Sequence, residues 1–280
     1  MALTLSDIGY RYRVSASPAE TSAALDGVSL DLGCGELVLV LGATGSGKST
    51  LFRVAAGLLD PESGRAAVDG EPLTRATARG AVGLVFQDAE SQLFAETVAD
   101  DVAFGPRNLG SSPERARELA LEALARVGLA PDTYAARSPF TLSGGEARRV
   151  AIAGVLAMQP RYLLLDEPTS GLDARGRAAV RALVRAERER SGIAIVSHSA
   201  EEFLGEADRV VLLQAGRCAF SGPASALIAD PSEFRTAGLR APDVLLVQEL
   251  ALTRRASVGA FSLDPVAAAG ELARAWGWPA

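Results

Sequence analysis

One eight-residue stretch constrains this chain more than any other: Gly42, Ala43, Thr44, Gly45, Ser46, Gly47, Lys48 and Ser49, with Thr50 next. It follows a continuously apolar, partly β-branched run at 37–41 and opens a helical pattern at 49–56. A strand that apolar is buried on both faces, which places it in a parallel sheet. Glycines at such a strand-to-helix turn let backbone N–H groups close around phosphate oxygens, and the helix N-terminus adds partial positive charge. The spacing G-x-x-x-x-G-K-[ST] aims the Lys48 ammonium at the β- and γ-phosphates of a nucleotide and the Ser49 hydroxyl at Mg²⁺. Lys48 is the chain's only lysine, every other one of its 28 Lys+Arg positions being arginine. A compact ammonium on a flexible stem suits a tight loop where arginine's broad fork fits poorly.

Similar apolar runs recur at 82–86, 162–165, 193–196 and 210–213, with helical patterns at 113–127, 144–158, 174–190 and 200–206. Strands alternating with helices predict an α/β core with a mainly parallel sheet. Ahead of the phosphate loop, alternating apolar residues at 3–8 and 28–32 flank a small-residue stretch at 15–24, which predicts an N-terminal antiparallel β subdomain joined by a loop. The segment at about 89–159 carries helices without strands and reads as a helical subdomain inserted in the core. Pro223 and Pro231 bracket a short helical piece, and two further helical patterns follow Pro242. The second opens with Asp264 as cap and Pro265 at the first helical position. The expected division is a core at 1–225 and a C-terminal extension at 226–280 that packs on the core or on a partner. Trp276 and Trp278 lie near its end, as packing aromatics or as an exposed contact.

Composition narrows the functional classes. At 48% hydrophobic and 22% charged, the chain can bury a core and is neither disordered nor fibrous. No stretch reaches the roughly 18 to 20 uncharged apolar residues that span a bilayer. The start lacks a signal peptide's apolar middle. Cys34 and Cys218 give no disulfide framework, so a reducing compartment is expected. A net charge of −6 weighs against nonspecific nucleic-acid binding, and none is expected. His198 is the one histidine, which excludes a polyhistidine metal site.

Other residues gather at strand ends, where ligands of open α/β sheets collect. Asp166 and Glu167 close the run at 162–165. Two carboxylates there suit a Mg²⁺-coordinating Asp166 and a Glu167 that acts as general base toward an attacking water. His198 follows the run at 193–196. Gln87 follows the run at 82–86, within reach of Mg²⁺ or the water.

With these in place the chain resembles the ATP-binding-cassette family, and Leu142-Ser143-Gly144-Gly145-Glu146 is similar to that family's signature segment. The phosphate loop, Gln87, the signature, Asp166-Glu167, Ser170-Gly171-Leu172-Asp173 and His198 keep the family's order across about residues 3–225. The resemblance implies a head-to-tail pair of such subunits, a homodimer or a pairing with a paralogue, with each ATP held between the phosphate loop of one and the signature of the other. It makes Ser143 and Gly145, with Gly144 and Glu146 beside them, trans contacts to ATP. Asp173 then crosses the interface, His198 holds the γ-phosphate and the water, and Tyr12 stacks on adenine, with Tyr10 as the alternative. ATP and Mg²⁺ are the implied cofactors.

A narrower resemblance lies in Phe86-Gln87, Ser91-Gln-Leu-Phe94, Asp101-Val-Ala-Phe-Gly-Pro106, the stretch from Arg148 to Met158, and Ala237-Gly-Leu-Arg-Ala-Pro242. These are similar to the ATPases of bacterial and archaeal energy-coupling-factor importers of vitamins or metal ions. That implies a transmembrane coupling protein, a membrane substrate-binding subunit, a place on the cytoplasmic face of the membrane, and docking near residues 87–94. Glu146, in place of the commoner glutamine, and the missing proline after Gln87 depart from the pattern. A cassette acting on nucleic acid or the ribosome, a cassette of another transporter class and a regulatory subunit without turnover are the rival readings.

Overall fold

The computed structural model describes residues 1–13, 21–254 and 260–276. In chain order, β1 (Ala2–Arg13) and β2 (Thr21–Gly33) pair antiparallel, and β3 (Leu37–Gly42) runs into α1 (Lys48–Ala55). Next come β4 (Ser63–Val68), β5 (Glu71–Pro72), the short α2 (Arg75–Ala78) and β6 (Val82–Val85). A 3-10 turn at Ala89–Gln92 leads into α3 (Val98–Asn108), α4 (Pro113–Arg126), α5 (Pro131–Tyr134) and α6 (Gly144–Leu156). The chain returns through β7 (Tyr162–Asp166), α7 (Ala174–Glu187), β8 (Gly192–Ser197), β9 (Arg209–Gln214) and β10 (Arg217–Pro223). It continues as α8 (Ala224–Ala229), α9 (Ser232–Thr236), α10 (Asp243–Thr253) and α11 (Pro265–Ala275).

Two sheets form. One has the order β2-β1-β4-β5 and is antiparallel; the other runs β10-β9-β3-β8-β7-β6, parallel throughout except for β10. The doubly apolar strands explain how the layers join. Alternate residues point to opposite faces. Leu37, Leu39 and Leu41 of β3 enter a core shared with the helices, while Val38 and Val40 enter a second core beneath the antiparallel sheet. Each fully buried aliphatic side chain contributes about 1.5–3 kcal/mol, so a polar replacement on either face of β3 is costly. Leu227, Phe234 and Leu245 of the C-terminal region belong to the helix-side core, so the extension is docked at least as far as α10. Asp264 caps α11, accepting from the Val266 N–H at 2.9 Å.

Three expectations change. The helical pattern at 200–206 folds as successive turns. Phe203 and Leu204 are buried, but Gly205 weakens a helix there, and Asp208 must reach back to pair with Leu37 through its amide at 2.9 Å and its carboxylate at 2.7 Å. β4, β5 and β10 are polar and largely exposed, so only pairing with a neighbour makes them strands. β2 begins at Thr21, inside the expected loop at 15–24, of which 15–20 lie outside the described residues. Trp278 also lies outside them, and Trp276 is half-exposed.

Candidate nucleotide site

β3, β8, β7 and β6 are consecutive neighbours, and all four end at the same edge of the sheet. Leu41 is level with Ser197, and Asp166 with Val196. The parallel register therefore brings the phosphate loop, His198, Asp166-Glu167 and Gln87 to one rim, although they are far apart in sequence.

The phosphate loop needs its glycines. Gly47 has φ +104°, and a Cβ there would lie 2.4 Å from the Ala24 carbonyl oxygen; at Gly42 it would lie 2.3 Å from Ser46 Oγ. Lys48 Nζ donates to the carbonyls of Gly42 at 2.7 Å and Ala43 at 2.9 Å, across the mouth of its own loop. The residue is only 8% exposed, and burial lowers the ammonium's pKa, opposed by the charges of Glu167 and Asp166. Ser46 Oγ is buried without a hydrogen-bond partner. A cation short of countercharge beside an unsatisfied hydroxyl is a site completed by an anion.

Asp166 is its counterpart. Burial raises its pKa, opposed by the Ser49 hydroxyl and by the charges of Lys48, Arg53 and Arg148. Its Oδ1 is buried with no hydrogen-bond partner. With the Ser49 hydroxyl and the exposed Gln87 amide this makes an all-oxygen donor set, the kind a hard divalent cation takes.

Glu167 follows with φ +50°, left-handed backbone that a non-glycine residue adopts rarely and at some cost. Its amide donates to the Val196 carbonyl at 2.9 Å, and its Oε2 lies 2.8 Å from His198 Nδ1. An ionised carboxylate only accepts, so Nδ1 carries the proton. The His198 side chain is 66% exposed, so the ring stands open to a ligand while one nitrogen orients the acid.

Tyr12 sits over the start of α1, its hydroxyl 3.3 Å from Thr50 Oγ1 and from an Arg53 nitrogen, with Tyr10 edge-on at 5.0 Å. Of the two expected aromatics, Tyr12 is the one that touches the phosphate-loop helix.

The signature segment is placed apart from this rim. Ser143 is the N-cap of α6, and Glu146 completes a capping box by accepting from the Ser143 amide and hydroxyl, both at 2.8 Å. Tyr134 donates to the other oxygen of Glu146 at 2.6 Å, and these bonds hold the acid's pKa down to about 2. Ser143, Gly144, Gly145 and Glu146 line a cleft of about 720 Å³ with Asp173, which caps α7 by accepting from the Gly176 amide at 2.7 Å. The structure thus joins signature and Asp173 in one cleft, distinct from the phosphate loop. Sequence reasoning missed Arg148 as part of the site: an arginine on the buried face of α6, visible as a charge where the helical pattern calls for an apolar residue.

A glycine-built phosphate loop, an ammonium, a paired acid set and an oriented histidine on one rim of a parallel sheet define a nucleotide-hydrolysing P-loop enzyme. The family model for ABC transporters matches residues 25–170. The energy-coupling factor transporter ATP-binding protein EcfA2 of Clostridium perfringens is 40% identical over 258 residues, 89% of this chain and 90% of that protein. EcfA2 of Symbiobacterium thermophilum is 48% identical over 225 residues, 78% of each. Among solved structures, cbiO1 of Clostridium perfringens, described as part of the ABC transporter complex cbiONQ, superposes with a TM-score of 0.72 at 33% identity, covering 88% of this chain and 98% of that one. The ATP-binding cassette MJ0796, a dimer bound to ADP and Pi after hydrolysis, gives 0.71 at 27% identity, over 80% of this chain and 99% of that one. The chain belongs to the ABC transporter family and is an ATP-binding ATPase of that family.

Proposed function

We propose that the chain is the ATP-hydrolysing subunit of an energy-coupling-factor-type import complex at the cytoplasmic face of the membrane, serving uptake of a vitamin or a transition-metal ion. Among the described residues no helix is long and apolar enough to cross a membrane, so in this reading transport passes through partner subunits.

One observation supports docking most directly. An apolar groove of about 480 Å³ lies beside the catalytic rim, walled by the 3-10 turn, α3 and α6. Phe94 is 58% exposed and Phe104 48%, their rings edge-to-face at 4.9 Å. Large aromatics left in water on adjacent elements mark an interaction surface. Phe94 is thus on the surface and not in the core, and α3 adds Phe104 and Leu109 to the expected docking segment at 87–94.

In this reading the phosphate loop and Lys48 bind the β- and γ-phosphates, Tyr12 stacks on adenine, and Ser49, Asp166 and Gln87 hold Mg²⁺. The ion, when bound, neutralises charge on the phosphate oxygens. Glu167 takes the proton of the attacking water. His198 orients Glu167 through Nδ1 and keeps its other nitrogen for the γ-phosphate. Ser143, Gly145 and Asp173 face the ATP of a second subunit, a copy or a paralogue. Residues 1–225 form the ATPase domain with its helical insert at about 89–159, and 226–280 contribute packing and subunit pairing.

The test replaces Phe94 and Phe104 together with aspartate. Detergent extraction is expected to yield the wild type bound to its transmembrane coupling subunit and the double variant free of it, with ATP binding by the isolated chain unchanged. Retained membrane assembly would remove the groove from the account.

A further inference from the structure

We propose that Arg148 is a positioning residue for hydrolysis: it holds Glu167 in its left-handed backbone conformation by gripping the Glu167 carbonyl, and Glu90 sets the guanidinium in place. The inference rests on Glu167 being the general base.

Arg148 lies on the buried face of α6, its side chain 5% exposed. One terminal nitrogen donates to the Glu167 carbonyl, and the other donates to the Ser170 carbonyl at 3.3 Å. The Glu167 carbonyl also accepts from the Ser170 amide at 3.2 Å, so the guanidinium closes over the turn that leads from the base to Asp173. A residue at φ +50° persists only where its surroundings over-determine it. For Glu167 those surroundings are Val196 on its amide, Arg148 and Ser170 on its carbonyl, and His198 on its carboxylate.

The countercharge for Arg148 comes from the 3-10 turn. Glu90 Oε2 stands 3.6 Å from Arg148 Nη1, and both Glu90 Oε2 and Arg148 Nε are buried with no hydrogen-bond partner. The pair is near, and not closed. A small displacement of the turn changes how firmly the fork is held, and with it the aim of Glu167. The turn has two sides: Ala89 and Gln92 line the apolar groove, whereas Glu90 lines the signature cleft. Groove, signature helix and base therefore meet at one side chain.

The experiment measures ATP turnover, KM for ATP and thermal midpoint of the full-length chain with Mg²⁺ for Arg148→Gln, Arg148→Lys, Glu90→Gln and the double variant Glu90→Gln/Arg148→Gln. Because sub-ångström to ångström misplacement of a reacting group costs up to about 100-fold, kcat is expected to fall about 100-fold for Arg148→Gln and about 10-fold for Arg148→Lys, which keeps the charge without the fork. Glu90→Gln is expected to lose about 5-fold, KM to stay within about twofold throughout, and the double variant to match Arg148→Gln alone, as for one coupled unit. KM rising in step with the loss of kcat, full turnover in Arg148→Lys and Glu90→Gln, or additive losses would overturn it. If Arg148→Gln does not fold, Arg148→Lys and Glu90→Gln, which preserve volume, decide. Glu167→Gln is run alongside. Turnover surviving there removes the base assignment itself, whereas its loss beside wild-type behaviour of the Arg148 and Glu90 variants removes only this inference.

Discussion

The catalytic rim and the signature cleft carry charge in opposite ways. At the rim, burial pushes Lys48 down and Asp166 up, and Ser46 Oγ and Asp166 Oδ1 have no hydrogen-bond partner. In the signature cleft, Glu146 is pulled down to about 2 by Tyr134 and Ser143, and the segment satisfies itself through its own capping box. The rim is incomplete by itself and finds its missing partners in a ligand. The signature is complete by itself and presents a finished surface. That contrast is what two half-sites look like when one binds the nucleotide and the other closes over it.

Substitutions can sharpen or break the contrast. The largest effect is expected at Lys48. Lys48→Ala removes the only ammonium of the rim, and ATP affinity, followed by calorimetry, should fall at least about 100-fold, as for loss of a buried charge partner. Affinity kept within a few-fold would mean the loop amides suffice. Next, Ser143→Ala should leave ATP binding to the separate chain unchanged and lower steady-state turnover about 10-fold, at the low end for one transition-state hydrogen-bond donor. Equal loss of binding and turnover would place Ser143 in the same half-site as Lys48. Tyr12→Ala should weaken ATP about 5-fold, in the range of one lost aromatic stack on a base. An unchanged affinity would return the stacking role to Tyr10.

The smallest effect concerns acid. Glu146 has a folded pKa of about 2 against a model value of 4.5, so its bonds contribute stability that is fully present above about pH 4.5 and fades as pH falls through about 2. Glu146→Gln cannot titrate, and its thermal midpoint should fall less steeply than wild type across that window. Parallel slopes would show that the capping-box acid is not held ionised by the fold.

Most of the rim was legible in the sequence because its chemistry is tied to strand ends. A doubly apolar strand can lie only inside a parallel sheet, and whatever follows it lands on the binding edge. Lys48, Asp166, Glu167, His198 and Gln87 all follow such runs. What was hidden depends on tertiary pairing. β4 and β10 are polar, and nothing in their own residues prefers a strand until β1 and β9 offer partners. The turns at 200–206 had a helical apolar pattern overridden by the need to bring Asp208 to Leu37. Arg148 was visible only as part of a family-like stretch, because its role comes from carbonyls 19 and 22 residues away that the sheet and α6 bring together. The departure at Glu146 also became intelligible in three dimensions, since its acceptor oxygens are used by Tyr134 and by Ser143.

The central claim is that Glu167 is the base of a working ATPase, and single-turnover hydrolysis of radiolabelled ATP with Mg²⁺ tests it most directly. Side-chain general bases contribute about 10²- to 10⁴-fold, so Glu167→Gln is expected to bind ATP with near wild-type affinity and to retain it intact while the wild type converts it to ADP and phosphate. ADP forming on Glu167→Gln at the wild-type rate would contradict the account.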